Sequence, residues 1–141
     1  MLTVNKLTRS YQGPSGTVTA LRDVSFSVKR GEFVSIIGKS GSGKSTLLSL
    51  LGALDNPTSG SIDVDDVNIA KLSAGKQTHY RARKIGFVFQ HYNLITNLTA
   101  LENVMLALEY GSYPKKERVT RASELLSSVG ISNQEQKSNL S

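Results

Sequence analysis

The 141-residue sequence predicts an α/β fold that begins with an antiparallel β-subdomain. Apolar side chains in the first 28 residues recur at strand spacing, with polar residues between them. A second observation is an apolar, β-branched run, Phe33–Ile37, that leads through a glycine-rich loop into an amphipathic helix. The 38% of hydrophobic residues suffice for a core, so residues 1–141 are predicted to belong to a single domain.

The β-subdomain is predicted from apolar residues in two stretches separated by a polar turn, Gln12–Gly16. These residues are Leu2, Val4, Leu7, Leu21, Val24, Phe26 and Val28. Arg30-Gly31 predicts a second turn, after which Phe33–Ile37 has the composition of a strand that is covered on both faces.

The middle of the chain predicts one helix, one hairpin and one further buried strand. Leucines at helical spacing indicate a helix that begins near Gly43 and stops before Asn56-Pro57. A hairpin is expected around Asp65-Asp66, and Ile85–Phe89 reads as another buried strand.

Two helices are predicted in the last third of the chain. Thr99 and Glu102 have the spacing of a capping box, and the helix they open has apolar positions at Leu101, Val104, Met105 and Leu108. Pro114 suits the first turn of a last helix that ends at Gly130. Its inward positions are expected to be Val119, Ala122, Leu125, Leu126 and Val129.

Composition argues against several classes of protein. The formal charge of +6 comes from scattered basic residues without interleaved aromatic residues, so no nucleic-acid partner is expected. There is no cysteine, and the first residues do not resemble a signal peptide. The longest apolar patch, Leu47–Leu54, is too short for a membrane span. We therefore expect a soluble chain whose membrane role, if it has one, comes through a partner.

Residues 38–45 fit the phosphate-loop pattern G-x-x-x-x-G-K-[ST]. Its glycines let the backbone curl so that successive N–H groups reach phosphate oxygens, and the following helix directs its positive end to the same point. Lys44 is expected to bind the β- and γ-phosphates, Ser45 to coordinate Mg²⁺, and Thr46 to reach the α-phosphate. The predicted nucleotide-binding residues in this loop are Gly38, Lys39, Ser40, Gly41, Ser42, Gly43, Lys44, Ser45 and Thr46.

A coincidental match is a poor explanation for this loop. Four fixed positions arise by chance in roughly one chain of this length in two hundred. The order of buried-type strand, loop and amphipathic helix is also what the pattern requires. The loop therefore predicts binding of a nucleoside triphosphate, with ATP and Mg²⁺ expected, but it does not say which phosphoryl chemistry follows.

Several stretches around this loop resemble the nucleotide-binding subunits of ABC transporters. Within that family the chain is most similar to ATPases of lipoprotein-release, macrolide-export and antimicrobial-peptide-export systems. The stretches that carry the resemblance are Ala20–Phe26, Lys29–Phe33, Gly38–Thr46, Asn56–Gly60, Ile85–Gln90, Asn93-Leu94 and Leu98–Val104. The resemblance implies a P-loop NTPase core of the ABC type, present here as its N-terminal part.

The resemblance also assigns roles to residues outside the loop. It implies that Tyr11 stacks on adenine, although a purely structural tyrosine of a strand is the competing interpretation. It implies that Gln90 reaches Mg²⁺ and the attacking water, so Lys44 and Gln90 are the predicted catalytic residues and Ser45 and Gln90 the metal-binding ones. The segment His91–Leu98 is similar to the surface that receives a helix of an integral-membrane transporter subunit.

Two details depart from the family pattern. Asp65-Asp66 stands where Asp-Gly is common, which makes the tight turn less certain. Thr96 replaces a usual proline, so the loop that contains it is expected to be less rigid. Neither change touches the residues expected to bind phosphate.

The last residues, Ser138–Ser141, resemble the run into the family's signature sequence, Leu-Ser-Gly-Gly-Gln. The rest of that signature, the Walker B strand, the catalytic glutamate and the switch histidine are not in this sequence. We therefore expect a fragment that binds ATP, while hydrolysis by this chain alone stays open. Strands that lack their later neighbours would leave apolar edges unpaired.

The family implies a homodimer with a second ATP-binding subunit, located in the cytoplasm at the inner face of the membrane. It would couple ATP binding and hydrolysis to export or release of a substrate. Two alternatives remain: a soluble ABC-type ATPase acting on nucleic acid or the ribosome, and a remnant that binds ATP without turnover.

Overall fold

The computed structural model of the chain describes residues 1–131, which divide into two compact units. The first comprises residues 1–85 and contains a sheet and two helices; the second begins at Gly86 and contains two further helices. The predicted α/β class with an antiparallel β-subdomain is confirmed. The predicted start of the signature sequence, Ser138–Ser141, lies outside the described residues.

The sheet of the first unit has four antiparallel strands in the order β2-β1-β3-β4. The strands are β1 (Leu2–Gly13), β2 (Gly16–Val28), β3 (Ser59–Val64) and β4 (Val67–Asn68). The turn predicted at Gln12–Gly16 joins β1 to β2, and Gly13 pairs with Gly16. Both stretches predicted from the apolar spacing are therefore strands.

The hairpin turn at Asp65-Asp66 forms although it contains no glycine. Both residues adopt positive φ, 45° and 66°, and Val64 pairs with Val67 across the turn. This is the conformation of a two-residue hairpin turn, and aspartate tolerates it better than most residues. The substitution of the usual glycine therefore leaves the tight turn in place.

Helix α1 (Lys44–Leu51) packs against the sheet through Leu47 and Leu50. The buried core of this unit consists of Val4, Leu7, Leu21, Leu47, Leu50, Ala53, Ile62 and Ile69. A short 3₁₀ turn (Ile69–Lys71) and helix α2 (Ala74–Lys84) follow β4. The helix predicted from Gly43 is confirmed, although it ends at Leu51, earlier than the leucine spacing suggested.

The two predicted buried strands are wrong. Residues 33–37 and 85–89 form no strand, and Phe33, Ile37 and Val88 are almost fully exposed. An apolar, β-branched run favours a strand, but a strand exists only where another backbone pairs with it. No strand in the part of the chain that the structure describes pairs with either segment.

The second unit contains α3 (Ala100–Tyr110) and α4 (Arg118–Ser128), which follows a 3₁₀ turn (Lys115–Glu117). Gly130 ends the helical region with a φ of 81°, as predicted. Pro114 was expected in the first turn of the helix but instead precedes the 3₁₀ turn. Ala122 and Leu126 are buried. Val119 and Val129 were expected to face inward but are more than half exposed, because α4 buries a narrower stripe than its apolar spacing suggested.

Within residues 1–131, no helix combines the length and the apolar character needed to cross a membrane.

The predicted capping box of α3 is present. The Thr99 hydroxyl accepts a hydrogen bond from the Glu102 backbone N–H (3.2 Å), and the Glu102 carboxylate accepts one from the Thr99 N–H (2.8 Å). That backbone bond, together with the Thr99 hydroxyl, lowers the pKa of Glu102 below its ordinary value.

Replacing Thr99 by alanine is expected to lower the free energy of unfolding of this unit by about 1 kcal/mol. The pKa of Glu102 is lower in the folded state than in the unfolded state. The stabilisation by ionised Glu102 is therefore present above the unfolded-state pKa and is lost as pH falls through the folded-state pKa. Urea unfolding followed by circular dichroism at neutral and acid pH measures both effects. The control is Thr120→Ala, at an exposed position of α4, which should not destabilise the protein. Equal stability of Thr99→Ala and the wild type would contradict the prediction.

Candidate functional site

The glycines of residues 38–43 give the loop a backbone that other residues would not allow. Gly41 and Gly43 have φ of 77° and 87°, the left-handed region that favours glycine. A Cβ on Gly38 would lie 2.6 Å from Ser42 Oγ, and one on Gly43 would lie 2.5 Å from the Ala20 carbonyl oxygen. The loop is therefore curled on itself and packed closely on β2.

Helix α1 begins directly after this loop with an uncapped N-terminus. Gly43 is its N-cap residue and offers no side chain to the first N–H groups, and the first turn contains no acidic residue. The free N–H groups and the positive end of the helix dipole therefore favour an anion at this point. Buried Leu47 and Leu50 fix the helix on the core, so the position of its N-terminus is fixed as well.

The Lys44 side chain folds back over the loop. Its ammonium donates hydrogen bonds to the carbonyl oxygens of Gly38 (2.9 Å) and Lys39 (2.7 Å), and it lies 3.5 Å from Ser42 Oγ. A lysine ammonium has three donors and a full positive charge. The loop thus holds a cation beside the N–H groups of α1, which is the combination that binds phosphate groups.

Ser45 and Thr46 lie in the first turn of α1, next to Lys44. Ser45 is exposed and Thr46 partly so. Among residues 1–131 no group of three or more histidine, aspartate or glutamate side chains could hold a metal ion by itself. A Mg²⁺ ion at this loop would therefore take the Ser45 hydroxyl together with phosphate oxygens and water, a ligand set that Mg²⁺ commonly has.

Tyr11 lies near the end of β1, opposite Val18 of β2. Its ring is partly exposed, its hydroxyl donates a hydrogen bond to Asp55 Oδ2 (2.9 Å), and the Arg9 guanidinium lies 4.4 Å from the ring centroid. Val18 stands two residues before Ala20 on β2, and the Ala20 carbonyl oxygen lies 2.5 Å from where a Cβ added to Gly43 would be. Two residues of a strand span about 7 Å, which is the distance along β2 between Val18, opposite Tyr11, and the point where the loop meets the strand. The first unit therefore brings Tyr11 and the phosphate loop to the same part of the sheet.

Gln90 belongs to the other unit. It is exposed and lies in a turn that follows the irregular segment 85–89. The predicted role of Gln90 at the metal and the attacking water therefore stays a prediction.

The segment His91–Leu98 is fastened by a residue that the sequence analysis did not single out. Asn103 of α3 accepts a hydrogen bond from the Ile95 N–H (2.9 Å) and donates to the carbonyl oxygens of Ile95, Leu98 and Thr99 (3.2, 3.3 and 3.0 Å). These bonds restrain the loop that was expected to be less rigid because of Thr96. An asparagine just inside a capping box was the available signal.

Arg9 and Asp55 were also missed. They form an ion pair (2.7 Å) and both contact Tyr11. Arg9 stands two residues before Tyr11, a spacing that places both on one face of a strand, whereas nothing local indicates Asp55.

The chain is similar to known proteins in sequence and in structure. The ABC transporter family matches residues 21–141. An uncharacterized ABC transporter ATP-binding protein of Thermotoga maritima is 54% identical over 81% of this chain and 49% of its own length. The chain is also 41% identical to a macrolide export ATP-binding/permease protein, MacB, of Mannheimia succiniciproducens, and to a methionine import ATP-binding protein, MetN 2, of Enterococcus faecalis. Each match covers 96% of this chain, and 21% and 39% of the respective relative.

A solved structure of the ATP-binding cassette MJ0796, in a dimeric post-hydrolysis state bound to ADP and Pi, superposes with a TM-score of 0.81 at 44% identity. The match covers 90% of this chain and 56% of that one. The chain thus spans about half the length of several relatives that it matches, and a smaller part of others. On the match over residues 21–141, this chain belongs to the ABC transporter family.

Proposed function

We propose that this chain is the ATP-binding component of an ABC transporter and that the loop Gly38–Ser45 holds the triphosphate. The observation that carries the proposal is the Lys44 ammonium held over the loop, beside the uncapped N-terminus of α1. Both features attract a polyphosphate, and both come from one continuous segment.

The residues fit ATP and Mg²⁺ as follows. Lys44 exchanges its loop carbonyl partners for β- and γ-phosphate oxygens, and the loop N–H groups cradle the same phosphates. Ser45 takes part in binding Mg²⁺, and Thr46 reaches the α-phosphate. Tyr11 provides an aromatic face for adenine. For Gln90 we carry over only what the family resemblance implies, a role at the metal and the attacking water.

Bound ATP supplies a phosphoanhydride bond, and its cleavage requires that an attacking water be oriented or deprotonated. Lys44 and the α1 N-terminus stabilise negative charge on the phosphates, which assists that cleavage but does not activate water. We therefore propose binding as the function of these residues and assign no step of hydrolysis to this chain alone.

The assembly is proposed from the relatives. The chain is the N-terminal portion of one nucleotide-binding domain, which pairs with a second ATP-binding subunit and an integral-membrane subunit at the cytoplasmic face. The MJ0796 cassette is dimeric in its solved structure, and MacB is named as an ATP-binding protein combined with a permease. The similarity to the macrolide exporter MacB supports export. Because the identity to the methionine importer MetN 2 is equal, import is the competing direction of transport.

Calorimetric titration of the purified chain with ATP, with and without Mg²⁺, tests the proposal. Saturable binding that Mg²⁺ strengthens is expected, together with weaker binding of AMP, which lacks the β- and γ-phosphates. Phosphate release is measured in the same samples, which separates binding from turnover. AMP binding as tight as ATP binding would rule out the loop as the phosphate site.

Replacing Tyr11 by alanine is expected to weaken ATP binding by about tenfold, because an aromatic ring under a base contributes about 1–3 kcal/mol. Binding of inorganic tripolyphosphate, which has no base, should not change. Tyr11→Phe retains the ring and is the matched variant for stacking. Equal losses for ATP and tripolyphosphate would show that Tyr11 is only structural.

A further inference from the structure

Three side chains of the first unit form a closed set of contacts around Tyr11. The Tyr11 hydroxyl donates to Asp55 Oδ2 (2.9 Å), Arg9 pairs with Asp55 Oδ1 (2.7 Å), and the Arg9 guanidinium lies over the Tyr11 ring at 4.4 Å. Each side chain thus contacts both of the others. The tyrosine is fixed at its hydroxyl and on one face of its ring.

The position of Arg9 decides which face of the ring is available. A guanidinium over an aromatic ring covers one face, so a flat ligand can stack only on the other. Tyr11 is 39% exposed, whereas the side chains of Arg9 and Asp55 are 23% and 26% exposed. The ion pair is therefore less exposed to water than the tyrosine is.

The position of Arg9 has a free-energy cost. The Arg9 Nε is buried and has no hydrogen-bond partner among the described residues, and an unpaired buried donor opposes folding. The guanidinium is attracted to the electron-rich face of the Tyr11 ring, and its charged hydrogen bond to Asp55 adds to this stabilisation. The ring contact and the ion pair thus offset the cost together, so Arg9 depends on both Tyr11 and Asp55.

Asp55 connects this set to the helix that follows the phosphate loop. It lies just after α1, in a segment that α2 fastens through two hydrogen bonds: Gln77 Nε2 to Asn56 Oδ1, and Arg81 to the Ala53 carbonyl, both 2.8 Å. The N-terminus of α1 borders the phosphate loop, and the segment after its C-terminus holds Tyr11. Helix α1 and the segment after it therefore connect the two parts of the candidate site.

We infer that Arg9 and Asp55 are positioning residues, which hold the Tyr11 ring with one face free for a nucleobase and fix its distance from the phosphate loop. The inference rests on the proposed function, because it takes Tyr11 as the surface that meets the base. The preference for ATP over a polyphosphate without a base then depends on Arg9 and Asp55, although neither side chain needs to contact the ligand.

The test compares the affinities for Mg-ATP and for magnesium tripolyphosphate by calorimetry, in the full chain. Asp55→Ala removes the carboxylate that holds Tyr11 and Arg9, and it should weaken ATP binding about three- to tenfold while leaving tripolyphosphate binding unchanged. In a Tyr11→Ala background the same substitution should have no further effect on ATP binding, because the ring that it positions is gone. Where Asp55→Ala does not fold, Asp55→Asn preserves the shape and gives a smaller loss of the same kind.

Glu124→Ala is the control, since it removes an ion pair with Arg121 within α4, which belongs to the second unit. It should leave both affinities unchanged. A folded Asp55→Ala variant that retains the wild-type preference for ATP overturns the inference, and so does an equal loss for both ligands. A wild-type chain that binds ATP no better than tripolyphosphate overturns the proposed role of Tyr11 first, which distinguishes the two failures.

Discussion

Replacing Lys44 by methionine is expected to weaken ATP binding at least about 100-fold. Methionine preserves much of the length and the apolar stem of the side chain but removes the ammonium that now contacts the Gly38 and Lys39 carbonyls. Hydrogen bonds to charged groups contribute about 1.5–3 kcal/mol each, so the loss of two to the phosphates amounts to about 3–6 kcal/mol. Each 1.4 kcal/mol is about tenfold in affinity. Calorimetric titration with Mg-ATP measures the loss.

The matched control is Lys71→Met, which removes the same charge from an exposed position in the 3₁₀ turn after β4. It lowers the net charge equally, so any effect of overall charge on nucleotide binding appears in both variants. Only the Lys44 variant should lose affinity strongly. Similar affinities for the two variants would mean that ATP is attracted by the general positive charge of the chain and not by the loop.

The phosphate loop, its helix and the capping box could be predicted because each depends on residues close together in the chain. Gly38–Ser45 specifies the curled backbone within eight residues, and the leucines of α1 specify a buried face within two turns. Thr99 and Glu102 satisfy each other over three residues. The conformation of such segments depends mainly on residues near them in the sequence and only weakly on distant parts of the chain.

The segments 33–37 and 85–89 show where local reasoning fails. Their composition favours a strand, but a strand also needs the backbone of a partner, which no property of the segment itself supplies. Phe87 and Phe89 stack with their ring centroids 5.5 Å apart, as residues two apart in an extended chain can, yet the segment pairs with no described strand. The apolar, strand-like composition was thus visible in the sequence, and the absence of pairing was not.

The surroundings of Tyr11 show the same limit at the candidate site. An aromatic residue upstream of the loop was identified by resemblance to a family. Asp55, which holds its hydroxyl, lies 44 residues further along the chain. Only the antiparallel sheet and the packing of α1 bring the two together, so no spacing in the sequence could have indicated the contact.

Replacing Gly43 by alanine is expected to lower the free energy of unfolding of the first unit by about 2–5 kcal/mol. The φ of 87° alone costs an L-residue about 1–2 kcal/mol. The added Cβ would also lie 2.5 Å from the Ala20 carbonyl oxygen and 2.9 Å from Leu21 Cδ2. The carbonyl belongs to the backbone of β2 and cannot rotate away as a side chain could, so overpacking adds about 1–3 kcal/mol. Urea unfolding followed by far-UV circular dichroism suits a chain without tryptophan.

Gly41→Ala separates the two contributions, because Gly41 has a similar φ of 77° and nothing lies within 4 Å of an added Cβ. It should cost only the backbone term, about 1–2 kcal/mol. The difference between the two variants then measures how tightly the phosphate loop is packed on β2 at Ala20. If the two variants unfold at the same urea concentration, the loop moves away from the strand without cost. The N-terminus of α1 would then not be fixed where the proposed phosphate site requires it.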